Sequence, residues 1–161
     1  MAYYRNRAKK TQKNNHTAYE TALYLLNYRE QSEKELTRKL KDRDYRVEEI
    51  EEAMEKLKYY GYIDDETLAE DLFEAYRKRG VYGDAYIHRK MKEKGLVTEQ
   101  HLSLEEETAS AISLLQKKVK GSPKLLTDYR RAAAFLMRRG FSRSAMVAAL
   151  REFDFSADYE D

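Results

Sequence analysis

Three histidines, one acidic trio and a recurring set of basic residues are the side chains of this 161-residue chain with types and spacings suited to chemistry. Histidine can ligate a metal or move a proton, but we read none of His16, His88 and His101 as paired with another histidine or an acid at ligand spacing on a common face. No HExxH motif is present, so neither a metal nor a catalytic role is expected of them. Asp64-Asp65-Glu66 offers adjacent carboxylates, yet it sits where a helix N-terminus favours negative charge, and capping accounts for it better than metal binding. The chain lacks GxxxxGK[ST], GxGxxG and GxSxG, the sequence basis of phosphate cradling and acyl transfer. The expectation is a protein with no catalytic residues and no cofactor, not an enzyme.

What remains is positive charge set on helices. Arg38, Lys39, Lys41 and Arg43 crowd one stretch; Arg89, Lys90, Lys92 and Lys94 crowd a second; Arg130, Arg131, Arg138 and Arg139 crowd a third. A solvated face explains any one cluster alone. Their recurrence does not reduce to that, because the clusters ride on a repeated pattern. Leu36-Thr37-Arg38-Lys39-Leu40-Lys41-Asp42-Arg43-Asp44-Tyr45 returns as Ile87-His88-Arg89-Lys90-Met91-Lys92-Glu93-Lys94-Gly95-Leu96, and its end returns as Leu136-Met137-Arg138-Arg139-Gly140-Phe141. A period of about 50 residues marks a repeat array. Stacked repeats would line the clusters up as a basic stripe suited to phosphate backbone or an acidic protein groove. The residues expected to make contact are Arg38, Lys39, Arg43, Arg89, Lys90, Lys94, Arg138 and Arg139, while Leu36, Leu40, Ile87, Met91 and Leu136 should be structural.

The elements that must position these residues are helices. A single proline, at Pro123, and the absence of any apolar–polar alternation leave strands without support. Thr17-Ala18-Tyr19-Glu20 and Ser32-Glu33-Lys34-Glu35 read as capping boxes, and the helices they open carry Ala22, Leu23, Leu25 and Leu26, then Leu36 and Leu40. Asp44 occupies the slot held by Gly95 and Gly140 in the other copies, so the slot calls for a left-handed backbone that glycine adopts freely and aspartate tolerates. Val47, Ile50, Met54 and Leu57 mark a third helix ending at Gly61. The second unit starts at Asp64-Asp65-Glu66, continues through Leu68, Leu72, Phe73 and Tyr76 to Gly80, and carries the repeated stretch from about Asp84 to Lys94. Its third helix is short, with Thr98 as cap and Leu102 as anchor. Ser103-Leu104-Glu105-Glu106 opens the third unit, Ser122-Pro123 starts its middle helix through Leu126, Tyr129, Ala133 and Leu136, and Ser142 caps the last. The reading is all-α, nine helices in three repeats at 18–62, 63–102 and 103–155. A basic tail over 1–17 carries five cations and no acid, and an acidic tail runs over 156–161.

Charged residues make up 37% of the chain, yet the net charge is only +2, so both signs are plentiful. With no cysteine there is no disulfide or thiolate site. With no long apolar run and no apolar segment after the first basic residues, neither a membrane span nor a signal peptide is expected, and a cytoplasmic monomer is. Fourteen tyrosines are many for this length. Tyr59, Tyr60 and Tyr62 could stack on bases or enter a partner pocket, but wedging one repeat against the next is the favoured role.

The ordered set of motifs resembles the RecX family. In the first unit the resemblance rests on Leu25-Leu26, Arg29, Ser32, Glu35-Leu36, Lys39 and Leu40, and then on Gly61-Tyr62-Ile63-Asp64-Asp65 with Ala69. In the second it rests on Gly80, Gly83, Ile87, Arg89 and Lys94-Gly95, and in the third on Phe135-Leu136-Met137-Arg138-Arg139-Gly140-Phe141-Ser142. It spans about Ala18 to Phe153. Asp84 departs from the family, where proline often follows the glycine, and the shortened third helix of the second unit departs as well. The resemblance implies three tandem three-helix repeats forming an elongated, curved array. It also implies a regulator that lies in the groove of RecA filaments on DNA and suppresses ATPase, strand-exchange and co-protease activities. The implied partner is the RecA filament, with single- or double-stranded DNA as a possible second contact. A general DNA-binding helical-repeat protein acting through phosphate contacts is the rival reading, and a helical scaffold for an unrelated protein is a third.

Overall fold

The structure is a computed structural model that describes residues 15–121, 128–153 and 155. Among the described residues there are eight α-helices and no strand: α1 Ala18–Leu26, α2 Glu33–Lys41, α3 Val47–Tyr59, α4 Asp65–Arg79, α5 Asp84–Glu93, α6 Leu104–Gly121, α7 Tyr129–Arg138 and α8 Arg143–Leu150. None is long and apolar enough to cross a membrane. The chain divides into two compact units, one ending at Asp64 and the other starting at Asp65.

In the first unit, Thr17 and Ser32 cap α1 and α2 through reciprocal bonds with Glu20 and Glu35. The three helices close over Ala22, Leu36, Leu40, Ile50, Met54, Leu57 and Ile63. Val47 is 54% exposed, because it occupies the first position of α3, ahead of the buried Ile50. Tyr59, Tyr60 and Tyr62 are 83%, 63% and 54% exposed and stand outside this core.

The second unit holds two cores. Ala69, Phe73, Ile87, Met91 and Leu96 join α4 and α5. Ala111, Leu115, Leu136, Phe141, Met146 and Leu150 join α6, α7 and α8.

The three repeated stretches end identically. Asp44, Gly95 and Gly140 have φ of 62°, 76° and 78°, and the next residue donates its amide to the carbonyl five positions back: Tyr45 to Leu40, Leu96 to Met91, Phe141 to Leu136. That is the Schellman closure, with an apolar residue tucked behind it. Asp44 is therefore a stop signal of the same kind as the two glycines.

Two parts of the sequence reading are corrected. Residues 96–103 form no helix, so the second repeat lacks the helix expected between Thr98 and Leu102 and the described helices number eight, not nine. Thr98 Oγ1 instead accepts the Gln100 amide in a turn, and the Leu102 amide is taken by Asp84 Oδ1 at 2.8 Å. Leu102 keeps its anchoring role against the α4–α5 core. A long-range bond to a side chain has taken the Leu102 amide that a helix there would have used. Second, α7 begins at Tyr129, capped by the Asp128 carboxylate, which accepts from the Arg130 and Arg131 amides. The Ser122-Pro123 start and Leu126 lie outside the described residues, as do both tails apart from 15–17.

The two cores of the second unit are locked by their backbones. The N-cap of α5 is Gly83, which has no side chain to satisfy the orphan amides of the first turn. The third repeat supplies what is missing. Glu107 Oε1 accepts the Asp84 amide at 2.9 Å and the Ser142 amide at 3.2 Å, and the Gly140 carbonyl accepts from Ala85 at 3.3 Å. Gly83 returns a bond to the Arg139 carbonyl at 2.8 Å. The approach is so close that a Cβ on Gly83 would stand 2.3 Å from the Gly140 carbonyl oxygen, and one on Gly140 would stand 2.3 Å from the Tyr86 nitrogen. Glu107 is only 4% exposed.

The cap of α6 is also charged. Glu106 accepts the Ser103 amide and the Arg77 Nε, and these hold its carboxyl below the ordinary glutamate range, the Ser103 amide most of all. This cap is therefore intact above the ordinary glutamate range and is lost as pH falls through the lowered value.

Four substitutions separate these effects, each read by urea denaturation of the full chain. Gly61→Ala meets no neighbour and should cost about 1 kcal/mol, for its left-handed backbone alone. Gly140→Ala adds a clash with the α5 backbone and should cost at least about 3 kcal/mol. Glu107→Ala strands two amides and should cost about 3 kcal/mol, against about 1 kcal/mol for Ser142→Ala, which removes one ordinary cap. Equal costs for the two glycine variants would contradict the joint.

Candidate binding surface

The positions of the eight basic residues follow from these helix ends. In the first unit, Arg38 is exposed on α2, one residue before Lys39. Lys39 is half-buried; its ammonium donates to Gln31 Oε1, and Gln31 Nε2 donates to the Leu25 carbonyl at 2.7 Å. Burial, then the charge of Arg29, pushes the Lys39 ammonium below the usual lysine range. Arg43 donates to the Lys39 carbonyl at 2.8 Å, closing the C-terminus of α2. Of the three, Arg43 thus also serves the end of α2, and Lys39 the junction between α1 and α2.

In the second unit the other two rungs converge on aromatic rings. Tyr82 and Tyr86 lie in parallel, ring centroids 3.9 Å apart and planes 4° apart, with Tyr76 edge-on to both. The adjacent Tyr82 side chain, then burial, raises the Tyr86 phenol above its ordinary range. On one side Arg89 lies 5.1 Å and Lys90 5.8 Å from the Tyr86 ring centre. On the other, Arg139 lies 5.6 Å from Tyr82 and 4.8 Å from Phe135, and Lys118 stands 5.8 Å from Phe135. The row runs lysine, phenylalanine, arginine, paired tyrosines, then arginine and lysine. It draws on α6, α7, the loop before α5, and α5 itself.

The joint between Gly83 and Gly140 is what builds this row. Arg139 is the residue before Gly140 and gives its carbonyl to Gly83, so the backbone contact that seats α5 also carries the guanidinium to the tyrosine pair. Its Nη1 donates to the Val81 carbonyl at 3.3 Å. Such cation–ring contacts contribute about 0.5–1 kcal/mol each at exposed sites, and they fix long side chains that would otherwise roam. The row presents charge for phosphate or carboxylate beside flat apolar faces for a base or an apolar side chain.

Lys90 also pairs with Glu93 at 2.8 Å, which raises the lysine and lowers the glutamate. Lys94 is half-buried at the C-terminus of α5, and Arg138 is exposed at that of α7. The structure therefore brings Arg89, Lys90 and Arg139 together, while Arg38, Lys39 and Arg43 form a separate group in the first unit. The sequence reading missed Tyr82, Tyr86, Phe135 and Lys118; the four-residue spacing of Tyr82 and Tyr86 was the available signal. It also took His88 and His101 as unpaired. Instead, Asp84 Oδ2 lies 2.7 Å from His101 Nδ1 and 3.5 Å from His88 Nε2, and the two imidazoles stack with centroids 4.4 Å apart.

Comparison with known proteins bears on this architecture. Residues 18–57 match the first three-helix domain of RecX and residues 105–150 match the third. The regulatory protein RecX of Stenotrophomonas maltophilia is 34% identical over 141 residues, covering 84% of this chain and 86% of that protein. The regulatory protein RecX of Trichlorobacter lovleyi is 30% identical over 144 residues, covering 83% and 93%. Against the longer RecX of Bacillus licheniformis, 30% identical over 148 residues, the chain spans 56% of the relative's length. The crystal structure of RecX from Lactobacillus salivarius shares the fold, with a TM-score of 0.69 at 22% identity, covering 84% of this chain and 93% of that one. With matching first and third domains and relatives covered almost end to end, the chain belongs to the RecX family.

Proposed function

We propose that this protein binds RecA filaments on DNA and inhibits RecA recombinase, ATPase and co-protease activities, and so modulates DNA repair and the SOS response. The observation that carries this reading is the row of cations and rings in the second unit: Lys118, Phe135, Arg139, Tyr82, Tyr86, Arg89 and Lys90. A nucleoprotein filament offers repeating phosphates, acidic side chains and apolar ledges, which such a row can engage together. The basic group of the first unit, with Arg38 outermost, adds a second point of attachment. Two weak contacts on one chain bind far more tightly than either alone. No reaction is required of the protein: it acts by occupying the filament, as a monomer in the cytoplasm.

The competing reading is a general DNA-binding protein, to which stacked tyrosines flanked by cations also lend themselves. Salt separates the two. Binding through phosphates alone loses orders of magnitude in affinity between low and moderate salt, whereas attachment to a protein groove loses less.

The decisive assay is single-stranded-DNA-dependent ATP hydrolysis by RecA with this protein titrated in. Inhibition at equimolar or lower ratios is expected, and its absence there would sink the proposal. Replacing Arg89 and Lys90 together by glutamate should raise the concentration for half-inhibition at least about tenfold, the equivalent of about 1.4 kcal/mol. Unchanged inhibition by that variant would remove the row from the interface while leaving the inhibitor assignment standing.

A further inference from the structure

We propose that Asp84, His88 and His101 form a binding site for a divalent transition-metal ion of the Zn²⁺ class. The three donor atoms come from two stretches of chain that have no shared role in the surface described above. Asp84 and His88 lie one turn apart on α5, and His101 lies in the non-helical stretch 96–103. One ligand atom from each falls within 4.8 Å of the other two.

The arrangement is held from outside the site. Asp84 spends Oδ1 on the Leu102 amide at 2.8 Å and its own amide on Glu107 at 2.9 Å, which leaves Oδ2 turned toward both imidazoles. Leu102, packed against the α4–α5 core, fixes the chain next to His101. These are the supports that orient the ligands of a metal site. The Gln100 carbonyl oxygen is a fourth polar atom nearby, 3.0 Å from His88 Nε2.

The distances suit a small ion. Donors around a tetrahedral ion at about 2.1 Å stand about 3.4 Å apart. His88 Nε2 and Asp84 Oδ2 already stand at 3.5 Å. His101 Nδ1, now hydrogen-bonded to Asp84 Oδ2 at 2.7 Å, must back away by about 0.7 Å. With its side chain 65% exposed, it has room to do so. In the bound form each imidazole is neutral, His101 carrying its proton on Nε2 and His88 on Nδ1, so that Nδ1 of His101 and Nε2 of His88 face the ion and solvent fills the remaining positions. Two imidazole nitrogens with one carboxylate select Zn²⁺, Co²⁺, Ni²⁺ or Cu²⁺ over Mg²⁺ and Ca²⁺, and the cysteine-free chain offers no thiolate to compete. A bound ion would clamp the stretch 96–103 onto α5, next to the joint that seats that helix on the third repeat.

The test is titration of tag-free, metal-free full-length protein with Co²⁺, followed by visible absorption. The expected result is one Co²⁺ per chain with d–d bands, displaced by Zn²⁺ and not by Mg²⁺. His101→Ala and His88→Ala should each weaken binding roughly tenfold or more, while His16→Ala, outside the cluster, should leave it unchanged. His101 is exposed, so its variant should keep the wild-type circular dichroism spectrum. Zn²⁺ should raise the Tm of the wild type and not that of the His88→Ala/His101→Ala variant. Equal Co²⁺ binding by wild type and that double variant, or loss of binding in His16→Ala, would overturn the site.

Discussion

Glu107 accepts two amide protons on one oxygen, from Asp84 and from Ser142, and so stands at the N-termini of α5 and α8 together. A carboxylate that is 4% exposed costs several kcal/mol to desolvate unless it is compensated. Here the compensation is local: two helix N-termini, each with unsatisfied amides and the positive end of a helix dipole, face the same oxygen. The dependence is mutual. Gly83 gives α5 no cap of its own, so that helix reaches full hydrogen bonding only by docking on the third repeat. Docking in turn needs the two glycines, because any side chain at either would meet backbone at 2.3 Å. Repeats that each lack something their neighbour supplies cannot drift in register.

The row of cations and rings is a by-product of that joint. Arg139 and Tyr86 sit on separate helices more than fifty residues apart, yet the Gly140 turn rests against the first turn of α5, bringing the guanidinium beside the Tyr82–Tyr86 pair. The arginine head is then partly spent on a carbonyl and two ring faces, which limits its freedom without neutralising its charge. A contact surface made this way loses little entropy on binding, because its long side chains are already ordered. Lys39 illustrates the opposite balance. Its ammonium is drawn inward onto Gln31, so α2 presents Arg38 more openly than Lys39.

Much of this was legible in the residues. Thr17, Ser32, Ser103 and Ser142 each announce a helix start because the cap is a local bond within three or four residues. The shared slot of Asp44, Gly95 and Gly140 was readable for the same reason, being a backbone requirement repeated at fixed places. What failed was long-range. Nothing near Thr98 says that the Leu102 amide will be captured by Asp84, which removes the helix expected there. Glu107 looks like any acid in a first helical turn, and its burial depends on loops far away in sequence. The Asp84–His88 spacing was visible, but its third member stood in a stretch read as helical, so the cluster could not be assembled. The row of rings and cations was hidden likewise: Arg89, Lys90 and Arg139 were found, and Lys118, Phe135 and the tyrosines that gather them were not.

The central claim is that the second and third repeats contribute to one contact surface, with Arg139 and Tyr86 acting as a unit. A double-mutant cycle on binding to RecA filaments assembled on single-stranded DNA tests it most directly, comparing Tyr86→Ala, Arg139→Ala and the pair. Coupled residues should lose less affinity together than the sum of the single losses, with a coupling energy of about 0.5–3 kcal/mol. Strictly additive losses would mean that the two rungs act independently, and would contradict the account.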